Sequence, residues 1–128
     1  MKTAELSMFI VEDDAAFRET FMDIMALRGV DVQGAGTGAE GLRQLQGGLR
    51  PSVIVLDVQL PDVHGFELCR RLKRMEAFKR TPIILLSASA QYSDARDRAE
   101  GLLAGASLFL AKPITMDRLW TEIGRLLS

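Results

Sequence analysis

The sequence predicts a single α/β domain: a doubly wound, five-stranded parallel β-sheet with helices on both faces. Short apolar runs of strand length alternate with segments whose apolar residues recur at helical spacing, along the whole chain. The apolar runs are continuous, which is typical of strands that are buried on both faces of a parallel sheet. The 128 residues contain no linker rich in Pro, Gly or Ser, so we expect one domain over residues 1–128.

The first half of the chain contains three predicted strands and the two helices between them. The strands are dense in apolar or β-branched residues and are predicted at 8–11, 30–35 and 52–56. The first helix ends before Gly29. Its apolar face consists of Phe17, Phe21, Ile24 and Met25. Thr37 and Glu40 form a capping-box pattern, which predicts the start of the second helix.

The second half contains two predicted strands, at 82–86 and 108–110, and three helices. The third helix runs from Phe66 to Lys73 and includes Cys69, which we interpret as a buried structural thiol. The fourth is predicted from about Ser93 to Ala104. The fifth begins after Thr115, a favourable N-cap residue. Its apolar face consists of Leu119, Trp120, Ile123 and Leu126 or Leu127.

Composition and charge argue against several classes of protein. The 16 basic and 17 acidic residues give a net charge of −1, without the basic excess of a nucleic-acid-binding surface. We interpret the basic residues between 70 and 80 as a solvated face. No apolar run approaches the roughly 20 residues of a membrane helix, and the acids at 12–14 argue against a secretory signal. We therefore expect a cytoplasmic protein that contacts neither nucleic acid nor membrane directly.

Side chains capable of chemistry follow four of the five predicted strands. They are Glu12, Asp13 and Asp14 after the first strand, Asp57 after the third, Ser87 after the fourth and Lys112 after the fifth. Functional groups in doubly wound sheets gather at the carboxyl ends of the strands, so we expect these side chains in one crevice. Clustered carboxylates repel one another unless a cation or proton intervenes, and their hard oxygen ligands suit Mg²⁺.

Three residues of this crevice match the separate tasks of a phosphoryl transfer. An aspartate beside Mg²⁺ can attack a phosphoryl group and form an aspartyl phosphate, which is the role predicted for Asp57. Lys112 is predicted to neutralise negative charge on the phosphoryl oxygens as a point charge. The hydroxyl of Ser87 can donate a hydrogen bond to another phosphoryl oxygen.

Five segments together resemble the receiver domain of two-component response regulators. They are residues 10–14, 55–65, 86–88, 105–107 and 112–113. Each segment alone is a weak signal, but the five in this order are specific, and the resemblance extends from about Ser7 to the C-terminus. It implies a flavodoxin-like sheet with strand order 2-1-3-4-5, the order known for the family's chemotaxis member, and five helices on its two faces.

The resemblance also implies the role of each site residue. Asp57 is the implied phosphoacceptor, and Lys112 contacts the phosphoryl group. Ser87 and Phe109 are the implied switch pair, whose movement alters the face made by the fourth helix, the fifth strand and the fifth helix. The peptide bond between Lys112 and Pro113 is often cis in the family. The implied Mg²⁺ ligands are Glu12, mainly through water, Asp13, Asp57 and the backbone carbonyl of Gln59.

The implied function is a phosphorylation switch rather than an enzyme. The expected partners are a histidine kinase or phosphotransfer protein, a downstream protein target and, on phosphorylation, a second copy of the chain. One alternative is the N-terminal receiver of a longer regulator with an effector domain. A Mg²⁺ phosphohydrolase is less favoured, since it requires a second acid where Gln59 stands. A flavin- or nucleotide-binding module is also less favoured, since the acids at 12–14 would repel a phosphate.

Several residues have two interpretations. Asp14 is either a further metal ligand or, as we favour, the N-cap of the first helix. We expect Asp62 to stabilise its loop rather than bind metal, and His64 to be a solvated loop residue rather than a phosphate or proton relay. Phe109 is either the switch residue or plain core. The segment around 91–93 is longer than usual for the family, which affects where the fourth helix begins.

Overall fold

A computed structural model describes residues 6–88 and 95–128 of the chain. All of the strand pairs are parallel. The strands are β1 (Ser7–Val11), β2 (Asp31–Ala35), β3 (Val53–Asp57), β4 (Ile83–Ser87) and β5 (Leu108–Ala111). They form one sheet in the order β2-β1-β3-β4-β5. The predicted fold class and strand order are therefore confirmed.

Within the described residues, five α-helices connect and follow the strands. They are α1 (Ala15–Leu27), α2 (Gly38–Gln46), α3 (Gly65–Lys73), α4 (Ala95–Leu103) and α5 (Met116–Leu127). A 3-10 turn at Glu76–Phe78, which the sequence pattern did not predict, places the ring of Phe78 in the core. The predicted helix start at Ser93 and the long segment around 91–93 lie outside the described residues. No helix among the described residues is long and apolar enough to cross a membrane.

Hydroxyl or carboxylate side chains accept hydrogen bonds from backbone N–H groups in the first turns of α1, α2 and α5. The Asp14 carboxylate accepts a hydrogen bond from the N–H of Phe17 at 3.2 Å, which confirms Asp14 as the N-cap of α1. Thr37 accepts from the N–H of Glu40 at 3.1 Å, and Thr115 caps α5 in the same way. The Glu40 carboxylate itself bonds to the side chains of Arg43 and Gln44.

The sheet separates two apolar layers of the core. One layer lies between the sheet and α2, α3 and α4, and it contains Cys69, which is fully buried as expected. The other lies between the sheet and helices α1 and α5. Successive residues of a strand point to opposite layers. Strands β3 and β4 are buried along their whole length, which explains their continuous apolar sequences.

Parallel register brings the carboxyl ends of four strands to one edge of the sheet. Val11 pairs with Leu56, and Asp57 pairs with Leu86. The N–H of Lys112 donates to the carbonyl of Ser87 at 2.8 Å, which fixes the end of β5 beside the end of β4. Asp57 and Ser87 are the last residues of their strands rather than the first residues after them. Strands β3 and β4 therefore end one residue later than predicted, and both side chains lie on the hydrogen-bonded backbone of the sheet.

Candidate functional site

Three carboxylates meet at the carboxyl edge of the sheet. Glu12, Asp13 and Asp57 each contribute one oxygen to a group whose oxygens lie within 4.8 Å of one another. Glu12 and Asp57 are almost completely buried, whereas Asp13 is exposed. Buried carboxylates at such distances require a proton or a cation between them. The cluster can therefore hold a metal ion through oxygen ligands.

The carboxyl of Asp57 is strongly perturbed by its surroundings. Burial raises its pKa to about 7, and the hydrogen bond and negative charge of Glu12 add to the rise. The positive charge of Lys112 and a hydrogen bond from the N–H of Gln59 act in the opposite direction. Without a bound cation, Asp57 is thus partly protonated near pH 7, and a cation at the cluster would favour its nucleophilic, ionised form.

Lys112 reaches the cluster from the end of β5. Its Nζ forms an ion pair with the carboxylate of Glu12. The same ammonium lies 4.4 Å from the centre of the Phe17 ring. The Lys112 side chain is 13% exposed, so the charge is largely shielded from water. The peptide bond to Pro113 is cis, as the resemblance implied.

The two residues predicted to act as a switch are both buried. Ser87 ends β4 and is 2% exposed. Phe109, on β5, is 8% exposed, and its ring centre lies 6.2 Å from that of Phe66. Its ring also packs against Gly101 of α4, where a Cβ would lie 2.8 Å from Cδ2 of Phe109. Phe109 is thus part of the core in this structure, and its movement on phosphorylation stays a prediction.

The backbone of Gln59 is placed by its neighbours on both sides of the loop. Its N–H donates to the Asp57 carboxylate at 3.3 Å. Gln59 also forms an isolated antiparallel bridge with His64. These two contacts join the start and the end of the loop after β3, next to the carboxylate cluster. The predicted role of the Gln59 carbonyl as a metal ligand is compatible with this exposed position, and it stays a prediction.

Asp62 connects the loop after β3 to the start of α2. Its two carboxylate oxygens accept hydrogen bonds from the N–H groups of Gly38 and Ala39, each at 2.8 Å. These bonds lower the pKa of Asp62. Together with Thr37, they satisfy the first three N–H groups of α2. The expected loop-stabilising role of Asp62 is confirmed, and its partner is a neighbouring helix.

His64 is exposed, but it is more than a solvated loop residue. Its Nδ1 accepts a hydrogen bond from the N–H of Phe66 at 3.1 Å and so caps α3. Burial lowers the pKa of His64, which favours the neutral ring that an accepting Nδ1 requires. The expected solvated loop histidine is confirmed by its exposure, and the structure adds a capping role that the sequence analysis did not predict. The sequence signal was its position directly before the first residue of α3, where capping side chains are preferred.

Two residues of α1 contact the site and were missed by the sequence reasoning. Nη1 of Arg18 donates to the backbone carbonyl of Glu12 at 2.6 Å. Phe17 presents its ring to Lys112. The signal for both was their spacing of one helical turn after Asp13 and Asp14, which places them above the acidic strand end.

The family is decided by a match to a family model described as the response regulator receiver domain, which covers residues 8–124. The chain belongs to this family. A receiver domain is the phosphoacceptor switch of two-component signalling, and it is a signalling domain by class. The acidic cluster and Lys112 lie where the segments of the resemblance predicted the site.

Two curated relatives of this receiver domain are named as transcriptional regulators. The transcriptional regulatory protein AfsQ1 of Streptomyces coelicolor is 40% identical over 108 residues, which are 84% of this chain and 45% of the relative. The DNA-binding dual master transcriptional regulator RpaA of Synechocystis is 33% identical over 120 residues, 94% of this chain and 48% of the relative. The chain spans about half the length of these relatives.

Solved receiver structures have the same fold over nearly the whole chain. The chemotaxis response regulator CheY4 of Vibrio cholerae superposes with a TM-score of 0.87 at 28% identity, covering 95% of this chain and 98% of the other. A BeF3-activated DrrB receiver domain superposes with a TM-score of 0.81 at 29% identity, covering 95% and 97%.

Proposed function

We propose that Asp57 accepts a phosphoryl group from the phosphohistidine of a histidine kinase or phosphotransfer protein. The observation that carries this proposal is the buried pair Glu12–Asp57, with Asp13 beside it and Lys112 as the neighbouring cation. In the transfer, one Asp57 oxygen forms a bond to phosphorus, and the P–N bond of the donor imidazole breaks. The bonding pair leaves with the imidazole, which is a good leaving group when protonated.

We further propose that the metal is Mg²⁺, held by Glu12 through water, by Asp13 and Asp57, and by the backbone carbonyl of Gln59. The support is chemical, since the donors are all hard oxygens with two nearly buried carboxylates among them. When bound, Mg²⁺ supplies positive charge that offsets the charge on the phosphoryl oxygens. Glu12 and Asp13 then act by binding and orienting, and they leave Asp57 as the nucleophile.

Lys112 and Ser87 complete the proposed site with distinct tasks. Lys112 reaches the cluster with a largely shielded charge, and electrostatic stabilisation of a phosphoryl group is strongest where water is excluded. Ser87 lies one residue beyond the Leu86 partner of Asp57. Both Asp57 and Ser87 end their strands at the same edge of the sheet, and in our proposal the Ser87 hydroxyl donates to a phosphoryl oxygen.

The proposed output surface consists of α4, β5 and α5. Leu102 and Leu103 of α4 are exposed, at 51% and 86%, and they provide apolar contact area for a protein partner. Movement of Ser87 toward a phosphoryl group would leave space for Phe109 to reposition beneath α4, which shifts the equilibrium between two conformations of this face. The partner is a downstream protein or, on phosphorylation, a second copy of the chain.

The chain's position within a longer protein is also a proposal. Because the named relatives are about twice as long and are transcriptional regulators, we propose that this receiver controls a DNA-binding effector either in the same polypeptide or through protein contact. In that arrangement the receiver itself does not contact DNA, it acts in the cytoplasm, and its only catalysis is its own phosphorylation and dephosphorylation. A phosphohydrolase function is less favoured because Gln59 stands where a second acid is required.

The decisive experiment measures formation of an adduct at Asp57. The protein is incubated with acetyl phosphate or beryllofluoride, with and without Mg²⁺, and the adduct is detected by mass spectrometry or by NMR. We expect a Mg²⁺-dependent adduct in the wild type and none in Asp57→Asn. Asp31→Asn, an exposed acid at the opposite end of the sheet, is the matched control and should behave like the wild type. Absence of a wild-type adduct, or an adduct that persists in Asp57→Asn, would refute the proposal.

A further inference from the structure

The ammonium of Lys112 has two described contacts of different chemistry. One is the carboxylate of Glu12. The other is the face of the Phe17 ring, whose centre lies 4.4 Å from Nζ. The two partners come from different elements, because Glu12 follows β1 whereas Phe17 lies on the first turn of α1. The Lys112 ammonium is thus held in position by a carboxylate and by the face of an aromatic ring.

The geometry of the second contact is that of a cation–π interaction. A lysine ammonium within about 6 Å of a ring centre is attracted by the negative face of the ring, and the attraction grows when the charge is desolvated. Lys112 meets both conditions, since its side chain is only 13% exposed. Around the ammonium, an apolar recess is lined by Phe17, Ala88, Pro113 and Ile114.

A bound metal ion would affect the two contacts of Lys112 differently. Glu12 is also one of the three carboxylates that can hold a metal ion, so a cation at the cluster competes with Lys112 for the same oxygens. The ring of Phe17 is no metal ligand, and within residues 6–88 and 95–128 Lys112 is the cation that lies over its face. The aromatic contact is therefore available in both the metal-free and the metal-bound protein.

We propose that Phe17 is a positioning residue for the receiver reaction: its ring keeps the ammonium of Lys112 at the crevice, where the phosphoryl group arrives, independently of Glu12. This inference rests on the proposed function of Asp57 and Lys112. Phe17, a residue of α1, would then contribute to phosphoryl binding by orienting Lys112. Arg18, one residue later, contacts the Glu12 carbonyl and belongs to the acidic loop instead.

The competing explanation is that Phe17 is only a packing residue. It is half-buried and packs against the apolar layer beneath α1 and α5. Packing depends on apolar volume, whereas a cation–π contact depends on the ring. Phe17→Leu retains much of the volume and removes the ring, and Phe17→Tyr retains the ring. The two explanations therefore predict different orders for these variants.

The experiment is a double-mutant cycle between Phe17 and Lys112. Affinity for beryllofluoride at saturating Mg²⁺ is measured by calorimetry for the wild type, Phe17→Leu, Lys112→Ala and the double variant, and for Phe17→Tyr. We expect Phe17→Leu to weaken beryllofluoride binding about two- to five-fold. Phe17→Tyr restores most of the affinity, and Phe17→Leu has no further effect once Lys112 is alanine. Affinity for Mg²⁺ alone is unchanged in Phe17→Leu.

A matched control and a metal-free measurement separate positioning from stability. Phe21→Leu lies one turn further along α1 in the core, and it should lower the urea midpoint without changing beryllofluoride affinity. Urea unfolding of the metal-free proteins in the same cycle should also show coupling between Phe17 and Lys112. Additive effects in both cycles, or a Phe17→Tyr variant no better than Phe17→Leu, would overturn the inference. Wild type that binds no beryllofluoride would instead refute the proposed function.

Discussion

The loop after β3 and helix α4 lie on two sides of the carboxylate cluster and differ in how they are held. Asp62 and His64 of the loop accept hydrogen bonds from backbone N–H groups, whereas α4 buries few of its residues. On the first side, the loop after β3 is bonded to the starts of both α2 and α3. On the second side, Gly101 is the one buried residue among the nine of α4, and Leu102 and Leu103 face outward. By contrast, α3 buries five residues over the same length of nine.

We expect the loop after β3 and helix α3, here called the α3 side, to be rigid. We expect helix α4, here called the α4 side, to move more easily. A carboxylate that must meet a phosphoryl group in line requires a fixed backbone, and the α3 side supplies it. A helix moves more readily when few of its residues are buried, and α4 buries one of its nine residues. We infer that the chemistry depends on the α3 side and the readout on the α4 side. Substitutions on the two sides should therefore differ in their effects on stability.

Gly65→Ala should be strongly destabilising. A Cβ at Gly65 would lie 2.5 Å from the backbone oxygen of Asp57 and 2.7 Å from Cα of Val58. Both atoms belong to backbone that cannot yield without moving β3. We expect the free energy of unfolding in urea to fall by about 3 kcal/mol, together with weaker Mg²⁺ binding. A loss below about 1 kcal/mol would show that the α3 side is not rigid.

Asp57→Asn should stabilise the metal-free protein at neutral and alkaline pH. The pKa of Asp57 is raised from 3.8 to about 7, so the folded state binds more protons than the unfolded state in that window. Wild-type stability therefore falls as pH rises between these values. The asparagine variant lacks this loss and should be more stable by about 1–3 kcal/mol at pH 8. Urea unfolding at pH 4 should show a much smaller difference.

Magnesium provides the internal control for the Asp57 prediction. A cation at the cluster relieves the repulsion between Glu12 and Asp57, so Mg²⁺ should raise the urea midpoint of the wild type. It should raise that of Asp57→Asn much less. An equal stabilisation of both proteins would place the metal elsewhere and would contradict the assignment.

Asp62→Ala should have a moderate effect, because it removes two hydrogen bonds from the start of α2. We expect a loss of about 1 kcal/mol in unfolding free energy, the usual cost of a lost helix cap. Asp62→Asn should be less affected, since it keeps one accepting oxygen. Because the pKa of Asp62 is lowered in the fold, its contribution is present above the ordinary carboxyl pKa and is lost as pH falls. A wild-type advantage over Asp62→Ala that did not shrink as pH falls would argue against this role.

Gly101→Ala should have the smallest effect on stability. A Cβ there would meet side chains, at 2.8 Å from Cδ2 of Phe109 and 3.1 Å from Cδ1 of Leu85. The Phe109 ring can rotate away, and alanine favours the helix over glycine by about 1 kcal/mol. We expect a net change within about 1 kcal/mol but a clear change in the NMR signals of the Phe109 ring. A loss as large as that of Gly65→Ala would contradict the division between the two sides.

The sequence predicted the elements well because their signals are local. Apolar runs, helical spacing and the caps Asp14, Thr37 and Thr115 depend on neighbours within one turn, and all three caps are present. Strand ends were less well predicted, since pairing with β4 extends β3 to include Asp57. The turn at Glu76–Phe78 carries no strong sequence signal, and the core contact of Phe78 is what places it.

The site was predictable as a set of residues but not as a set of contacts. Parallel strands must end at one edge, so the meeting of Glu12, Asp57 and Lys112 followed from their positions after strands. That Lys112 pairs with Glu12 and lies on the Phe17 ring did not follow, because it depends on side-chain directions around a crevice built from distant segments. The partner of Asp62, 24 residues away on α2, was likewise outside any local pattern.

The alternation of strands and helices, the parallel sheet and the side chains at its carboxyl edge could thus be predicted from the amino-acid sequence. These follow from periodicity, propensity and the geometry of parallel strands, which act within or between neighbouring elements. The three-dimensional packing established which carboxylates lie close together, which residues contact Lys112, and that the loop after β3 is hydrogen-bonded to α2 and α3. Such contacts depend on burial and on distances of a few ångströms between residues far apart in the chain, and no local pattern encodes them.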